Sequence, residues 1–475
     1  MEKFDLAIIG AGSGGLSVAA GVAQLGLKTA LFEKGEMGGD CLNTGCVPSK
    51  ALLKAARVAQ GFRTSGAYGV KPQEPEVDFA AVKDHVQSVI DAIAPHDSVE
   101  RFEALGVRVI KDAAAFKDAH TIMAGGHQYA FRKAVIAAGS RAGLPPIEGL
   151  DADKVLTNET IFALREKPDH LIIIGGGPIG IEMAQAHRRL GCKVSVLDMG
   201  SILANDDPQL VDILRKSLIA EGVELYEHVD IQKVEHKEAV AVDFVREGVE
   251  PKKIVGTHIL VAAGRDAYVD GMDLENAGVE FDEKGIYVDA RLRTSQKHIY
   301  AAGDVVNGAP QFTHVAGYHA GIIIRNVAFK IPAKTDLKAL PWVTYSDPEL
   351  ANVGMKARDA IEKYGEGNVK IVSWQFDEND RAVAERRTEG MIKVTCRKNG
   401  KILGAAIVGP HAGELIGLWA LAITKGMKIG DITGMIAPYP TLGEISKRVA
   451  GAWFTPSLFS DRTRRIVGCL QKLPF

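Results

Sequence analysis

Two cysteines stand five residues apart in the segment GGDCLNTGCVPSK, at residues 38–50. In a regular helix, that spacing separates two residues by about 7.5 Å along the axis and about 140° around it. Cα atoms joined by a disulfide usually lie within about 7 Å, so a bond between Cys41 and Cys46 requires irregular backbone, which Gly45 permits. Pro48 suits the first turn of a helix, so the pattern places Cys46 at a helix N-terminus, where the dipole favours a thiolate.

The alternatives for this pair are two buried free thiols or part of a metal site. The chain has five cysteines in 475 residues, an odd and low count that argues against a secreted scaffold held by disulfides. In the sequence, no second cluster of Cys or His supplies the remaining ligands of a structural zinc. We therefore interpret Cys41 and Cys46 as a redox-active pair.

The elements that must position this pair belong to a strand-turn-helix-strand unit that occurs twice. Each copy has the spacing G-x-G-x-x-G between a predicted strand and a predicted helix, followed by an acid, and 23 positions separate the first glycine from the acid in both copies. The residues are Gly10, Gly12, Gly15 and Glu33 in the first copy, and Gly175, Gly177, Gly180 and Asp198 in the second. This context is typical of dinucleotide binding, with the pyrophosphate at the helix N-terminus and the acid on a ribose.

The position of the cysteines distinguishes the two predicted sites. The pair follows the first unit closely, and a redox disulfide needs an electron carrier beside it, so the first site is predicted to hold FAD and the second NAD. At the end of the second unit, the Asp198 carboxylate favours NADH over NADPH, because it would repel a 2′-phosphate and arginine is the residue expected for NADP.

Composition bounds the class of protein. The chain is 46% hydrophobic and 24% charged, and its length suggests about three domains. A formal net charge of −2 gives no reason to expect nucleic acid. The sequence contains no apolar run of the 18 to 20 residues or so that a membrane-spanning helix needs, and it starts directly with a predicted strand. We therefore expect a cytoplasmic enzyme.

Together, these motifs resemble the class I pyridine nucleotide-disulfide oxidoreductases, which include dihydrolipoamide dehydrogenase and mercuric reductase. The resemblance extends to about residue 455. It rests on the cysteine segment, on both glycine fingerprints, and on three further motifs: VIAAGS at 135–140, LVAAGR at 260–265 and IYAAGDV at 299–305. Two of these motifs contain Gly139, assigned to the FAD site, and Gly264, assigned to the NAD site.

The resemblance implies roles for individual residues. Asp304 is expected to contact the ribityl chain of FAD, and Lys50 to lie near the flavin N5 edge, paired with Glu182. Cys46 is expected to be the charge-transfer thiol against the flavin, and Cys41 the interchange thiol that meets the substrate. From the residues alone, an ordinary surface ion pair is the alternative for Lys50 and Glu182.

The resemblance also implies an α/β fold with two Rossmann-like dinucleotide-binding domains and an α+β C-terminal dimerisation domain. The expected parts are an FAD domain at 1–150, an NAD domain at 151–265, a return to the FAD domain at 266–335, an interface domain at 340–455 and a tail at 456–475. Members of the family are homodimers, in which the interface domain of one subunit completes the active site of the other.

The sequence departs from the family pattern at this completing segment, which reads APYPTLGEISKRVA. Most members have His-Pro-Thr there, with a Glu five positions after the His. Here Pro440, Thr441 and Glu444 keep the frame, but Tyr439 replaces the histidine. A tyrosine with an ordinary pKa of about 10 is a poor base at neutral pH. Ordinary dithiol oxidation is therefore in doubt, whereas mercuric reductases resemble this chain in having Tyr.

A second departure is Asp40, where the family usually has Thr beside the flavin pyrophosphate. An acid at this position is expected to raise the pKa of the adjacent Cys41. The functional prediction is an enzyme that passes a hydride from NAD(P)H through FAD to the Cys41–Cys46 disulfide, and then to a disulfide, a metal ion or a related acceptor. The alternative is a membrane-associated electron-transfer or redox-sensing partner.

The tail TPSLFSDRTRRIVGCLQKLPF carries that alternative. One predicted helical face is apolar, and the segment also carries four basic residues. The apolar residues are Phe459, Ile466, Leu470 and Leu473, and the basic ones are Arg462, Arg464, Arg465 and Lys472. The tail is expected to pack on its own dimer or to lie on a membrane surface. Cys469 also suggests a C-terminal redox relay, whereas Cys192 and Cys396 are expected to be core thiols.

Overall fold

The structure is a computed structural model that describes residues 1–473. Its first 142 residues form one α/β unit. The strands of this unit are β1 (Glu2–Ile9), β2 (Thr29–Phe32), β3 (Val107–Ile110), β4 (Ala115–Asp118), β5 (Thr121–Ala124), β6 (His127–Ile136) and β7 (Ser140–Ala142). Its helices are α1 (Ser13–Ala23), α2 (Gly39–Asn43), α3 (Cys46–Thr64), α4 (Phe79–Ile93) and α5 (Val99–Ala104).

The second α/β unit comes directly after the first. Its strands are β8 (His170–Ile174), β9 (Lys193–Asp198), β10 (Val223–Glu227), β11 (Asp230–His236), β12 (Val240–Arg246), β13 (Val249–Gly256), β14 (His258–Val261) and β15 (Arg265–Ala267). Its helices are α6 (Pro178–Arg189) and α7 (Pro208–Ala220). Strands β7 and β15 pair with each other in a two-stranded antiparallel ribbon, which connects the two units at the point where the chain leaves and re-enters the first one.

The chain then returns to the first unit and ends in an antiparallel one. The returning elements are β16 (Phe281–Asp282), β17 (Gly285–Ile286), β18 (Ile299–Ala301) and α8 (Thr313–Val327). The last strands are β19 (Pro341–Thr344), β20 (Glu349–Gly354), β21 (Val369–Gln375), β22 (Met391–Arg397) and β23 (Ile402–Gly409). The last helices are α9 (Ala357–Tyr364), α10 (Asp380–Ala384), α11 (Ala412–Thr424), α12 (Ile429–Thr433), α13 (Glu444–Leu458) and α14 (Asp461–Leu470).

Each dinucleotide unit is centred on parallel strands, although the first sheet is mixed because β5 pairs antiparallel with both β4 and β6. The first sheet has the order β3-β2-β1-β6-β5-β4, and β18 pairs in parallel with the C-terminal half of β6. The second has the order β10-β9-β8-β14, with all strands parallel. Central strands such as β8, whose residues HLIII are all buried, are covered on both faces, so they are continuously apolar rather than alternating. The predicted α/β architecture is confirmed.

Each of the two dinucleotide sheets places its glycine turn at the carboxyl edge of its strands. The carboxyl ends of β1 and β8 lead into the glycine turns, and ligands of open α/β sheets bind in the crevice at that edge.

The C-terminal five-stranded antiparallel sheet has the order β19-β20-β23-β22-β21 and packs against α11 and α13 around the buried Trp419. Trp419 donates a hydrogen bond from its indole nitrogen to Ser446 Oγ over 3.2 Å, which fixes α13 on that sheet.

Candidate active site

The two glycine turns have the same geometry. Gly10 and Gly175 have φ angles of +100° and +108°, a region that L-residues avoid. The third glycine of each turn touches the first: a Cβ on Gly15 would lie 1.9 Å from the Gly10 oxygen, and one on Gly180 would lie 1.9 Å from the Gly175 oxygen. Helix and strand can therefore pack this closely only when glycine occupies that position.

The middle glycines leave open space. A Cβ on Gly177 would meet no atom within 4 Å, and one on Gly12 would meet only the Gly39 Cα, at 3.9 Å. Both glycines cap the N-terminus of the following helix without a side-chain hydrogen bond, so backbone N–H groups remain available there. Each turn therefore offers the open cradle of backbone donors that a pyrophosphate requires, and the residues fit FAD at one turn and a pyridine nucleotide at the other.

The two acids are held in matching positions. Glu33 accepts hydrogen bonds from the backbone nitrogens of Ala11 and Gly35, at 2.6 and 2.7 Å. Asp198 accepts them in the same way from Gly176 and Gly200, at 2.6 Å each. Each carboxylate thus lies beside its own glycine turn, at the end of the second strand of its unit.

The cysteine pair lies where two helices meet. Cys41 belongs to the short helix α2, and Cys46 is the first residue of α3. Gly45 has φ −130° and ψ −107°, which breaks the helical path between them. All five cysteines are free thiols, and Cys46 is exposed to the cleft. The irregular backbone expected from the spacing is therefore present at Gly45.

The two thiols have opposite acidities. A hydrogen bond from the Cys41 thiol lowers the pKa of Cys46 to about 6, against the effect of burial, and Thr313 and the charge of Lys50 lower it further. The Cys46 sulfur lies 3.4 Å from the Thr313 hydroxyl oxygen. The same hydrogen bond, together with burial, raises the pKa of Cys41 far above that of a free thiol. One proton is thus held on Cys41 while Cys46 is a thiolate at neutral pH.

An ion pair lies behind Cys46, one helical turn further along α3. Lys50 Nζ donates to Glu182 Oε2 over 2.9 Å, and Glu182, on α6 of the second unit, is nearly fully buried. The other carboxylate oxygen accepts from the backbone nitrogen of Tyr345 at 2.9 Å. Lys50 Nζ also lies 4.3 Å from the centre of the Tyr345 ring. Three parts of the chain therefore meet at this pair.

Tyr345 is a residue that the sequence analysis missed. It lies in the segment LPWVTYSDPEL, at the start of the expected interface domain. Burial raises the pKa of the Tyr345 hydroxyl, so the ring faces Lys50 as a neutral phenol. An aromatic residue directly after a strand that returns toward the cleft is the signal in the sequence, but no residue spacing links it to Lys50.

Asp40 behaves differently from the sequence expectation. Its charge raises the pKa of Cys46, not that of Cys41, which responds to Cys46 and to burial instead. The reason lies in the orientation of the carboxylate, which forms an ion pair with Arg265 at 3.1 Å. The expectation that Asp40 sets the acidity of its neighbour Cys41 was therefore wrong.

Several motif residues lie around Arg265, at the β7–β15 ribbon. Gly139 and Gly264 precede β7 and β15, with φ angles of +75° and +151°. Asp304 accepts a hydrogen bond from the Ser140 hydroxyl over 2.8 Å, and burial raises the pKa of the Asp304 carboxyl. Asp304 thus lies at the ribbon between the two units.

Tyr439 lies apart from these residues, on the exposed surface of the C-terminal domain. Its hydroxyl donates to Asp380 Oδ2 over 2.8 Å, and this hydrogen bond raises the pKa of Tyr439. Glu444 instead bonds the Arg448 guanidinium, with Nη2 and Oε1 2.9 Å apart. The carboxylate that holds the tyrosine is therefore Asp380 rather than the expected Glu444, because the i,i+4 pairing along α13 occupies Glu444.

The remaining cysteines and the tail lie outside the cleft. Cys192 and Cys396 are fully buried, as expected for core thiols, and burial raises their pKa values to about 11 and about 12. Cys469 is exposed on α14, as are Ile466 and Leu470, and Phe459 is exposed at the end of α13. Over residues 1–473, no helix is both long and apolar enough to cross a membrane.

The sequence is similar to those of known proteins along most of its length. The sequence profile described as pyridine nucleotide-disulphide oxidoreductase matches residues 4–320, and the profile of the dimerisation domain of the same family matches residues 340–450. A dihydrolipoyl dehydrogenase of Geobacillus stearothermophilus is 37% identical over 456 residues, covering 93% of this chain and 94% of that protein. A mercuric reductase of Lysinibacillus sphaericus is 32% identical over 452 residues, covering 94% and 82%.

A solved structure shows the same arrangement of the chain. The Cu(II) complex of RclA, an HOCl-induced flavoprotein disulfide reductase from Escherichia coli, superposes with a TM-score of 0.85 at 25% identity, covering 95% of this chain and 100% of that one. These similarities span both dinucleotide units and the C-terminal antiparallel domain.

Proposed function

Because the chain belongs to the pyridine nucleotide-disulphide oxidoreductase family, and is thus an FAD-dependent enzyme that also uses a pyridine nucleotide, we propose that Cys41 and Cys46 are its redox centre. The observation that carries this proposal is the position of the pair: Cys46 begins α3, and the segment that leads into Cys41 rests on the first glycine turn, with the Gly38 nitrogen donating to the Ala11 oxygen over 3.0 Å. The lowered pKa of Cys46, about 6, agrees with this role. Bound FAD would accept a hydride from the nicotinamide and deliver an electron pair to the disulfide. Reduction breaks the Cys41–Cys46 bond and leaves a thiol and a thiolate.

The residues around the cysteine pair have distinct roles in this proposal. Gly10, Gly12, Gly15, Glu33, Gly139 and Asp304 hold FAD, and Gly175, Gly177, Gly180, Asp198 and Gly264 hold the nicotinamide nucleotide. Lys50, fixed by Glu182, stabilises the negative charge on Cys46. By the family resemblance, Cys41 meets the acceptor and Cys46 faces the flavin. The domain bounds given above are part of the same proposal.

The need to move a proton from Cys41 restricts which electron acceptors the enzyme reduces well. For Cys41 to attack a disulfide, its proton must leave, and the nearest acceptor is the Cys46 thiolate. Tyr439 cannot act as the base, because Asp380 raises the pKa of its hydroxyl above the ordinary value. We therefore propose that the enzyme prefers thiophilic metal ions, whose reduction takes up no protons, over glutathione disulfide as electron acceptors, and that it oxidises dihydrolipoamide slowly.

Steady-state turnover of the purified enzyme against metal ions, quinones and disulfides tests this preference. The Tyr439→His variant is the sharper probe, because it supplies a base with a pKa near 6.5. General base catalysis contributes about 10²- to 10⁴-fold, so even a poorly aligned histidine is expected to raise disulfide turnover measurably. Tyr439→Phe is the matched control. Rapid turnover of a physiological disulfide by the wild type would contradict the proposal.

The nucleotide preference rests on Asp198. Its carboxylate ends β9 and is fixed by two backbone N–H groups, so it presents negative charge where NADP would place its 2′-phosphate. We expect NADH to reduce the enzyme far more efficiently than NADPH. Stopped-flow bleaching of the bound FAD measures both rates, and equal or reversed rates would remove Asp198 as the cause.

The tail is proposed to pack on the second subunit. The family dimerisation profile ends at residue 450, within α13, and α14 begins soon after that helix ends. The exposed apolar side chains of α14 have no cover in the single chain. Deletion of residues 461–475 is expected to weaken the homodimer. A dimer unchanged by the deletion, with loss of binding to anionic liposomes, would support membrane contact instead.

A further inference from the structure

Asp40 is a carboxylate held by three donors. Its Oδ1 accepts from the Thr44 hydroxyl at 2.6 Å and from Asn158 Nδ2 at 2.8 Å. Its Oδ2 lies 3.1 Å from Arg265 Nη2. Asn158 is buried and belongs to the segment that leads from the first unit to the second. Asp40 is thus fixed from both sides of the boundary between the two units.

Arg265 serves two carboxylates at once. Besides pairing with Asp40, it donates from Nε to Ser140 Oγ over 2.8 Å and from Nη2 to the Ser140 carbonyl over 3.0 Å. Its Nε lies 3.9 Å from Asp304 Oδ2, and its side chain is only 13% exposed. A buried guanidinium between two carboxylates compensates charge that would otherwise stand unpaired.

Asp40 also adjoins the first glycine turn. The Gly38 nitrogen donates to the Ala11 oxygen over 3.0 Å, and a Cβ on Gly39 would lie 2.7 Å from the Gly12 Cα. The segment that carries Asp40 therefore rests on the turn whose backbone faces the phosphates of FAD. An unpaired carboxylate there would repel the pyrophosphate.

We propose that Arg265 is a positioning residue that neutralises Asp40, so that the turn at Gly10–Gly15 can hold the anionic dinucleotide. This inference rests on the FAD site described above. It predicts that Arg265 is needed for tight FAD binding chiefly while Asp40 is present. The two residues then form a compensated pair, with an acid tolerated beside the pyrophosphate because a buried arginine faces it.

A double-mutant cycle on FAD affinity tests this pairing. The proteins are the wild type, Arg265→Gln, Asp40→Thr and the double variant, each freed of FAD, retitrated with FAD and followed by quenching of flavin fluorescence. Arg141→Gln is the matched control, because Arg141 also lies on the β7–β15 ribbon but pairs with the exposed Asp270. Circular dichroism and thermal unfolding verify that each variant folds.

Arg265→Gln is expected to weaken FAD binding by about tenfold or more, because it leaves Asp40 uncompensated. The double variant is expected to recover most of that loss, and Asp40→Thr alone to bind FAD as tightly as the wild type or more tightly. An equal loss in Arg265→Gln and the double variant would overturn the inference. So would a loss no greater than that of Arg141→Gln. Failure of the wild type itself to bind FAD would instead contradict the proposed function.

If Arg265→Gln does not fold, Asp40→Thr still decides the question. Removing the acid makes the net charge near the phosphates one unit more positive, with Asp304 left as the only carboxylate beside Arg265 among those described above, so FAD affinity is expected to become more sensitive to salt. Weakening of FAD binding by about tenfold in Asp40→Thr would show that Asp40 itself supports the dinucleotide, and would overturn the inference.

Discussion

The two dinucleotide units have nearly the same local geometry and differ in the segments that follow them. In both, a positive-φ glycine starts the turn, a third glycine lets helix and strand touch, and an acid 23 positions on accepts a backbone hydrogen bond of 2.6 Å. After Glu33 the chain enters the helices that carry Cys41 and Cys46. After Asp198 it enters α7 with no cysteine between. In the proposed function, the repeated part holds the nucleotides and the unrepeated part carries the redox-active cysteines.

The largest expected effect comes from substituting the third glycine of each turn, which separates the roles of the two units. Gly15→Ala and Gly180→Ala each place a Cβ 1.9 Å from a backbone oxygen that cannot move aside. Overpacking of this kind costs about 1–3 kcal/mol, which corresponds to about a five- to 150-fold loss of affinity for the nucleotide at that turn. Gly15→Ala is expected to be purified with little FAD, and Gly180→Ala with full FAD but slow reduction by NADH. The ratio of flavin to protein absorbance, followed by stopped flow, measures both. Loss of FAD in Gly180→Ala would contradict the assignment of the sites.

The next effect concerns the ion pair that joins the two units. Lys50→Met removes the positive charge nearest Cys46 and leaves the buried Glu182 without its partner. We expect the pKa of Cys46 to rise above about 6, but only modestly, because the Lys50 charge contributes less to the lowering than the hydrogen bonds from Cys41 and Thr313. We expect the free energy of unfolding to fall by about 1–3 kcal/mol, since Lys50 is partly exposed.

The double variant Lys50→Met/Glu182→Gln separates these two consequences. It is expected to regain most of the stability, because no buried charge is left unpaired, while the pKa of Cys46 stays raised. Thermal unfolding and thiolate titration are the measurements. A pKa of Cys46 that returns to about 6 in the double variant would rule out Lys50 as the source of the charge effect.

A smaller effect is expected at Tyr345, where the antiparallel domain touches both units. The Lys50 ammonium over its ring contributes about 0.5–1 kcal/mol, equivalent to about a two- to fivefold change. Tyr345→Leu is expected to slow reduction of the disulfide by that factor, whereas Tyr345→Phe, which keeps the ring, is expected to match the wild type. Equal slowing in both variants would indicate that the hydroxyl, not the ring, supports Lys50.

The sequence predicted those parts of the site that local backbone rules determine. The glycine turns, the acids at the strand ends and the break at Gly45 result from steric limits within a few residues. Contacts between residues that are far apart in the sequence could not be predicted from these local rules. Tyr345 is 163 positions from Glu182, Arg265 is 225 positions from Asp40, and Tyr439 bonds Asp380 across 59 positions, and no single-sequence pattern links those pairs.

The expectations for Asp40 and Glu444 show the same limit. Both were derived from sequence neighbours, Cys41 in one case and Tyr439 in the other. Folding supplied stronger partners, because Arg265 reaches Asp40 and Arg448 lies one turn from Glu444. A carboxylate bonds the nearest well-oriented cation, and for Asp40 that cation lies far away in the sequence.

The central claim is that Cys46, not Cys41, is the thiolate of the pair, and pH titration of the long-wavelength charge-transfer absorbance tests it most directly. In oxidised holoenzyme carrying Cys41→Ser, the single remaining thiol of the pair is Cys46. We expect the band to be present and to titrate with an apparent pKa above the value of about 6 of the intact pair, because the hydrogen bond from the Cys41 thiol, the largest cause of the lowered pKa, is lost while Thr313 and Lys50 still act on Cys46. In Cys46→Ser the band is expected to be absent at every pH at which the protein stays folded. A band in both variants, or in Cys46→Ser alone, would contradict the account.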